Sequence, residues 1–288
     1  MIIFSFLLYY LVMIPVSLLP FPLLHVLSRL TYFVLYRIAG YRKKVVRTNL
    51  ANSFPEKTEA ERKKIEKGFY RFLGDLLLEG FKPFTIPFRK MRKHLVANDL
   101  SLLNKFAAEG KSVVIAIGHF NSWEMFLAGC NSFFDHQAVV LYRPLTNKFF
   151  DRKVNDSRSR FGTILVPADK TKEFFRQQHP KPTATFFAID QSPAKDSKCY
   201  WMNFLNQETG VMFGTEKFAK DFDQPVFYAR INKIKRGYYS LDMILITDKP
   251  KETAYGEITE KVTRQLESDI RKNPESWLWS HKRWKYKR

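Results

Sequence analysis

The chain opens on a run without charge. Residues 1–28, MIIFSFLLYYLVMIPVSLLPFPLLHVLS, contain no Asp, Glu, Lys or Arg, and the first charged position is Arg29. A helix crosses bilayer hydrocarbon with about 20 apolar residues, so the run is long enough to span. Pro15, Pro20 and Pro22 divide it, and neither piece is a comfortable span alone. One kinked span and a shallow hairpin lying in one leaflet both fit that pattern. Residues 30–36, LTYFVLY, extend the apolar character and bring Tyr to an interface, and the basic YRKKVVR that follows places the remainder on the cytoplasmic side. With no basic leading segment and no Ala-x-Ala site, a removable signal peptide is not expected. Residues 1–38 therefore read as a membrane anchor or interfacial element, and residues 39–288 as one domain. A buried N-terminal hairpin of a soluble protein is the plainer alternative.

Past residue 40 the pattern changes period. Thr58-x-x-Glu61 has the form of a capping box and opens a helix with the apolar stripe Ile65, Phe69, Leu73, Leu76 and Leu77, closed by Pro83 and Pro87. A short helix over 99–109 should end at Gly110. Residues 112–118, SVVIAIG, are a continuous apolar run rich in β-branched residues, the profile of a strand buried on both faces. Further strands are predicted at 138–142, 163–166, 183–189, 225–231 and 238–246, with helices at 147–161 and 211–222. The last helix carries Ile258, Val262, Leu266 and Ile270 and stops before Pro274. This alternation predicts an α/β fold with a mostly parallel central sheet flanked by helices.

Composition narrows the functional classes. The 288 residues are 45% hydrophobic and 16% aromatic, enough for a packed core. Two cysteines exclude a disulfide scaffold and paired Cys ligands for zinc. The formal net charge is +20, with clusters at Arg42, Lys43, Lys44 and Arg47 and at Lys282, Arg283, Lys285, Lys287 and Arg288. Anionic lipid, nucleic acid or an acidic carrier protein would each suit such a surface. No RNA-binding sheet motif or zinc finger is present, and the apolar start sets the basic surface against a bilayer, so nucleic acid is not expected.

The candidate chemistry lies at the end of the 112–118 strand, in His119-Phe120-Asn121-Ser122-Trp123-Glu124. Active sites of open α/β sheets collect at the carboxyl ends of strands. His119 and Glu124 can meet if His119 lies on the turn and Glu124 in the first turn of the next helix, with Asn121 as N-cap. Glu124 would then orient the imidazole as a general base. Asn121-x-x-Glu124 also reads as a plain capping box with His119 a turn residue. No His-Glu-x-x-His, Gly-x-Ser-x-Gly, Walker or Gly-x-Gly-x-x-Gly motif occurs, so a metal, a nucleotide cofactor and a serine nucleophile are all unsupported.

IAIGHFNSWE, YRPLTNKFFDR, SRSRFG, AIDQS, FGTEKFAK and the closing PESWLWSHKRWK follow one another in the order and spacing of a known family. Over essentially its whole length the chain resembles the bacterial lipid A late acyltransferases, a branch of the lysophospholipid acyltransferase superfamily. The resemblance implies a glycerolipid acyltransferase-like fold. It also implies transfer of a fatty acyl chain from acyl carrier protein to a hydroxyl of a lipid A precursor at the cytoplasmic face of the bacterial inner membrane, with no acyl-enzyme, metal or cofactor. By that resemblance His119 is the general base and Glu124 its partner. Arg158 and Asp190 fall on functionally important positions, and Arg143 and Arg160 are further candidates for phosphate contact. Trp277, Trp279 and Trp284 are expected to pack in the core. The family commonly carries His-Phe-Gly-Asn-Trp-Glu, where this chain has Asn121-Ser122 in place of Gly-Asn. Another acceptor (an aminolipid, glycolipid or lysophospholipid) and a non-catalytic protein binding anionic lipid are the competing readings.

Overall fold

The computed structural model describes residues 2–194 and 199–286; Lys287 and Arg288 of the terminal basic cluster lie outside the described residues. The uncharged start forms short helical pieces. Helices α1 (Ile2–Leu8) and α2 (Ile14–Leu18) are joined by a wide turn of π-helix, and α3 (Phe21–Phe33) follows a break at Leu19 and Pro20. Pro20 cannot donate a backbone hydrogen bond, so the helix resets there. The break frees the carbonyls of Ser17 and Leu19, and the buried ammonium of Lys82 donates to both. Among the described residues no helix is long and apolar enough to cross a membrane. The pieces nevertheless expose much apolar surface: Ile3, Phe4, Leu11, Leu18 and Ile38 are each 66–76% accessible.

Two helices connect this part to the sheet, α4 (Lys43–Ser53) and α5 (Glu59–Glu79). The Thr58–Glu61 capping box forms as expected, with each side chain bonded to the other residue's backbone N–H. Helix α3 lies along α5, tied by Ser28 to Asp75 and by His25 to Glu79 at 3.0 Å. Of the predicted stripe, Phe69, Leu73 and Leu76 are buried, whereas Leu77 is 44% exposed.

The remaining elements are α6 (Phe88–His94), β1 (Leu95–Ala97), α7 (Ser101–Ala108), β2 (Val113–Ile117), α8 (Trp123–Gly129), β3 (Gln137–Tyr142), α9 (Lys148–Ser159), β4 (Ile164–Pro167) and α10 (Thr171–Arg176). They continue with β5 (Thr183–Ala188), β6 (Cys199–Phe204), β7 (Gln207–Met212), α11 (Gly214–Phe222), β8 (Val226–Lys235), β9 (Tyr238–Thr247) and α12 (Glu257–Lys272). Seven strands form one sheet in the order β1-β9-β8-β2-β5-β3-β4, parallel at every junction except β8–β9. The predicted α/β class with a mostly parallel sheet is therefore the observed one. Strand β2, buried at every position, runs through the middle with a hydrophobic cluster on either side.

Three elements differ from the sequence reading. Strand β1 is three residues long and carries no alternation to detect. Strands β6 and β7 form a separate antiparallel hairpin, so the helix predicted from residue 211 starts only at Gly214. Its two-residue turn is Leu205-Asn206, both with positive φ (50° and 62°), and a leucine at the first turn position hides the usual Asn/Gly signature.

Candidate active site

Sheet register builds the centre of the site. Strands β2 and β5 are parallel neighbours, with Ile117 opposite Ala188. Each chain leaves the sheet at the same level, and two residues later β2 delivers His119 while β5 delivers Asp190. The backbone N–H of Ile189 donates to the Ile117 carbonyl at 3.0 Å, extending the pairing to the edge of the site. Gly118 lies in close approach to α12: a Cβ at that position would stand 2.6 Å from Cδ1 of Leu266, whose side chain would have to shift.

The Asp190 carboxylate is buried and accepts three N–H groups. His119 donates its backbone N–H to Oδ2 at 2.8 Å and its Nδ1–H to Oδ1 at 2.6 Å, and Trp277 donates Nε1–H to Oδ2 at 2.8 Å. Burial alone would raise the Asp190 pKa, but the His119 charge and these donors overcome it and hold the carboxyl down to about 2. Burial likewise opposes charge on His119, yet the Asp190 carboxylate and its hydrogen bond outweigh that, and the imidazole pKa lies above its ordinary value. An ionised carboxylate can only accept, so Nδ1 keeps its proton and Nε2 carries the lone pair. The side-chain amide of Gln191 lies 3.1 Å from that Nε2. Trp123 packs edge-on against the imidazole, with ring centroids 5.0 Å apart.

Glu124 does not hold His119. Its two oxygens are taken by Arg158, with Nε at 3.0 Å and Nη2 at 2.5 Å. Glu124 sits in the first turn of α8 as predicted, but Asn121 is not the N-cap: Ser122 occupies that position without a capping side-chain bond. Asn121 has φ 54° and turns its amide away, donating Nδ2–H to the Ile231 carbonyl at 2.6 Å. The chain therefore reaches α8 through a left-handed residue, and the imidazole faces the neighbouring strand end rather than the following helix.

The other predicted positions separate. Arg158 projects from α9 into the Glu124 pair and is mostly buried. Arg160 instead donates to the carbonyls of Pro83 and Ile86 at 3.3 and 3.0 Å, pinning the loop before α6. Arg143 is exposed on the loop after β3. Arg283, counted above with the terminal basic surface, is buried and donates to the Gly210 carbonyl at 2.9 Å. Burial lowers its pKa to about 10. Arg42 and Arg47 of the other basic cluster are also engaged, on the Ser280 carbonyl and the Glu66 carboxylate. Trp277 and Trp279 are fully buried, as expected.

The C-terminal strap is the part that the sequence reading underused. Asn121 N–H donates to the Ser276 carbonyl at 3.0 Å, and Phe120 forms an isolated antiparallel bridge with Trp277. Asn49 holds the Trp279 and His281 carbonyls from α4. The strap thus carries Trp277 to Asp190 and His281 to the rim, where His281 Nε2 accepts the Ser192 N–H at 3.0 Å. Burial pushes the His281 pKa down, keeping that acceptor neutral.

Beside these groups opens a groove of about 570 Å³. Its walls are mostly apolar, including Met13, Leu35, Leu73, Leu76, Phe81 and Leu278, and Trp123, Glu124 and His281 also line it. The arrangement combines an imidazole lone pair, an adjacent carboxylate–guanidinium pair and a hydrocarbon-sized slot. Among the described residues, no three or more His, Cys, Asp or Glu side chains are grouped as metal ligands would be.

The model of the bacterial lipid A biosynthesis acyltransferase family matches residues 1–286. The chain belongs to that family. Two curated relatives come from Escherichia coli K12: lipid A biosynthesis palmitoleoyltransferase, 22% identical over 93% of this chain and 86% of its own length, and lipid A biosynthesis lauroyltransferase, 22% identical over 93% and 87%. A lipid A biosynthesis acyltransferase of Shigella flexneri matches at 22% over the same shares as the first. This member of the family is an acyltransferase. The Asn121 departure from the family's usual glycine now has a physical explanation. The position requires a left-handed backbone, and asparagine is the residue that adopts it most readily after glycine.

Proposed function

We propose that this acyltransferase moves a fatty acyl chain from the thioester of acyl carrier protein to a hydroxyl of a lipid A precursor. His119 is the general base, and Asp190, rather than Glu124, orients it. The observation that carries the reading is the His119 Nδ1–Asp190 Oδ1 hydrogen bond of 2.6 Å, which leaves Nε2 as the proton acceptor; Trp123, packed against that imidazole, lines the apolar groove. In the reaction Nε2 takes the proton of the acceptor hydroxyl as its oxygen attacks the thioester carbonyl carbon. The tetrahedral intermediate then collapses, the C–S bond breaks, and the imidazolium returns the proton to the leaving sulfur. Asp190 stabilises the transient imidazolium without taking its proton. No acyl-enzyme, metal or cofactor takes part.

Glu124 and Arg158 serve the substrates in this scheme. Arg158 has a phosphate-compatible fork, and Glu124, which lines the groove, holds it in place. The groove receives the acyl chain. The exposed apolar N-terminal helices rest in the membrane interface at the cytoplasmic face of the inner membrane, an arrangement suited to short apolar pieces flanked by basic residues.

The test is acyl transfer by the purified full-length protein, given acyl-acyl carrier protein and a lipid A precursor in detergent or vesicles. Product formation that is lost in His119→Ala supports the reading. Transfer only to an aminolipid, another glycolipid or a lysophospholipid keeps the chemistry and replaces the acceptor. No transfer to any lipid, with membrane binding intact, supports a lipid-binding role instead.

A further inference from the structure

Outside the catalytic groove, three arginines converge beneath α3. A cavity of about 430 Å³ is lined by Ser28, Arg29, Tyr32, Arg71, Asp75 and Arg236, none of which borders the groove. Asp75 brings the only negative charge among these six, and it is already used. It accepts from Arg236 Nε at 2.9 Å and from the Ser28 hydroxyl. Arg29 and Arg71 have no ion pair among the described residues, and the Arg71 guanidinium stands 5.7 Å from the Tyr32 ring centroid. Two unneutralised guanidiniums therefore border a cavity with room for an anion.

The position of Arg29 on α3 identifies the anion's attachment. Each helical residue turns by about 100°, so Arg29 lies a quarter-turn around the helix from the inward-facing Ser28. The next arc beyond it carries Val26, Leu30 and Phe33, which are 61%, 57% and 51% exposed. Arg29 thus stands on the boundary between the polar cavity and a bare apolar stripe. A guanidinium fork suits phosphate oxygens, and the stripe suits hydrocarbon leaving the same point.

We propose that this cavity is a binding site for the phosphate headgroup of an anionic glycerophospholipid, with the acyl chains laid along Val26, Leu30 and Phe33. The site anchors α3 to one lipid molecule and fixes how the domain sits on the bilayer. It does not depend on the assignment of the catalytic reaction, because its occupancy is read by binding alone.

The experiment uses the full-length protein in flotation with phosphatidylcholine vesicles, with and without phosphatidylglycerol. The double variant Arg29→Gln, Arg71→Gln removes the free guanidiniums; both positions are exposed, and thermal unfolding verifies the fold. Lys172→Gln, Arg176→Gln on α10, at the far edge of the sheet, removes the same charge elsewhere. The proposal expects the first variant to lose its preference for phosphatidylglycerol, on the order of tenfold or more, while binding to phosphatidylcholine persists. The control variant keeps that preference. An equal loss in both variants would mean diffuse attraction and overturn the site. So would wild-type preference in the first variant, or stabilisation of the wild type alone by inorganic phosphate without any response to phosphatidylglycerol.

Discussion

Asp190 grips His119 twice, through the backbone N–H at 2.8 Å and through Nδ1–H at 2.6 Å. The two residues are 71 positions apart in sequence but equally far past paired positions of neighbouring strands. The double contact fixes both the place and the tautomer of the imidazole. It makes Asp190 the partner whose loss changes the titration of the imidazole.

Asp190→Asn should lower kcat and move the acid limb of the kcat/KM profile to lower pH. The sign follows from the charge: the carboxylate favours the imidazolium, so removing it lowers the His119 pKa and frees the base in more acidic solution. A pH–rate profile from pH 5 to 9, measured about every half unit, resolves such a shift. An unchanged acid limb would remove Asp190 from the dyad.

Glu124→Gln provides the contrast. Its carboxylate is bound to Arg158, so the acid limb should shift little, while KM for the acceptor rises. Glu124→Gln and Arg158→Gln should be non-additive, with a coupling of about 0.5–3 kcal/mol in a double-mutant cycle. A full Asp190-like shift in Glu124→Gln would restore Glu124 as the orienting group.

Acid stability should also depend on Asp190. Its folded pKa of about 2 lies below the ordinary 3.8, so it contributes stability above the ordinary value that is lost as pH falls through the folded one. Denaturant midpoints measured along that descent should fall in the wild type, and Asp190→Asn should lack this part of the slope.

Position 121 separates backbone from side chain. Asn121→Gly keeps access to φ 54° and should retain most activity, losing the bond to the Ile231 carbonyl. Asn121→Ala must hold a Cβ in the left-handed region and should cost a further 1–2 kcal/mol, approximately. Equal thermal stability of the two variants would mean that the turn is not under this constraint.

Gly118→Ala should destabilise by about 1–3 kcal/mol, because the new methyl collides with Leu266 at the junction of β2 and α12. Leu266→Val in the same chain should recover part of the loss. Thermal unfolding of the single and double variants measures both effects.

Much of this was legible in the sequence for definite reasons. Val113–Ile117 announces a central strand because burial on both faces demands an uninterrupted apolar run. His119 is legible because that strand ends there. Its hydrogen-bond partner Asp190 is not, since no periodicity reports that β5 lies beside β2 in register, and Glu124, nearer in sequence, bonds Arg158 instead. Arg160 and Arg283 look like surface charge in the sequence, yet their guanidiniums hold backbone carbonyls of folded loops. Only tertiary structure creates those acceptors. The uncharged N-terminus was legible as an apolar run divided by its prolines, and the break falls at Leu19 and Pro20, because Pro20 has no N–H to continue the helix.

The most direct test compares total lipids by mass spectrometry from cells lacking this protein, complemented with wild type or with His119→Ala. The account predicts a lipid A lighter by one fatty acyl group in the deletion and in His119→Ala, restored by wild type alone. Restoration by His119→Ala would contradict it.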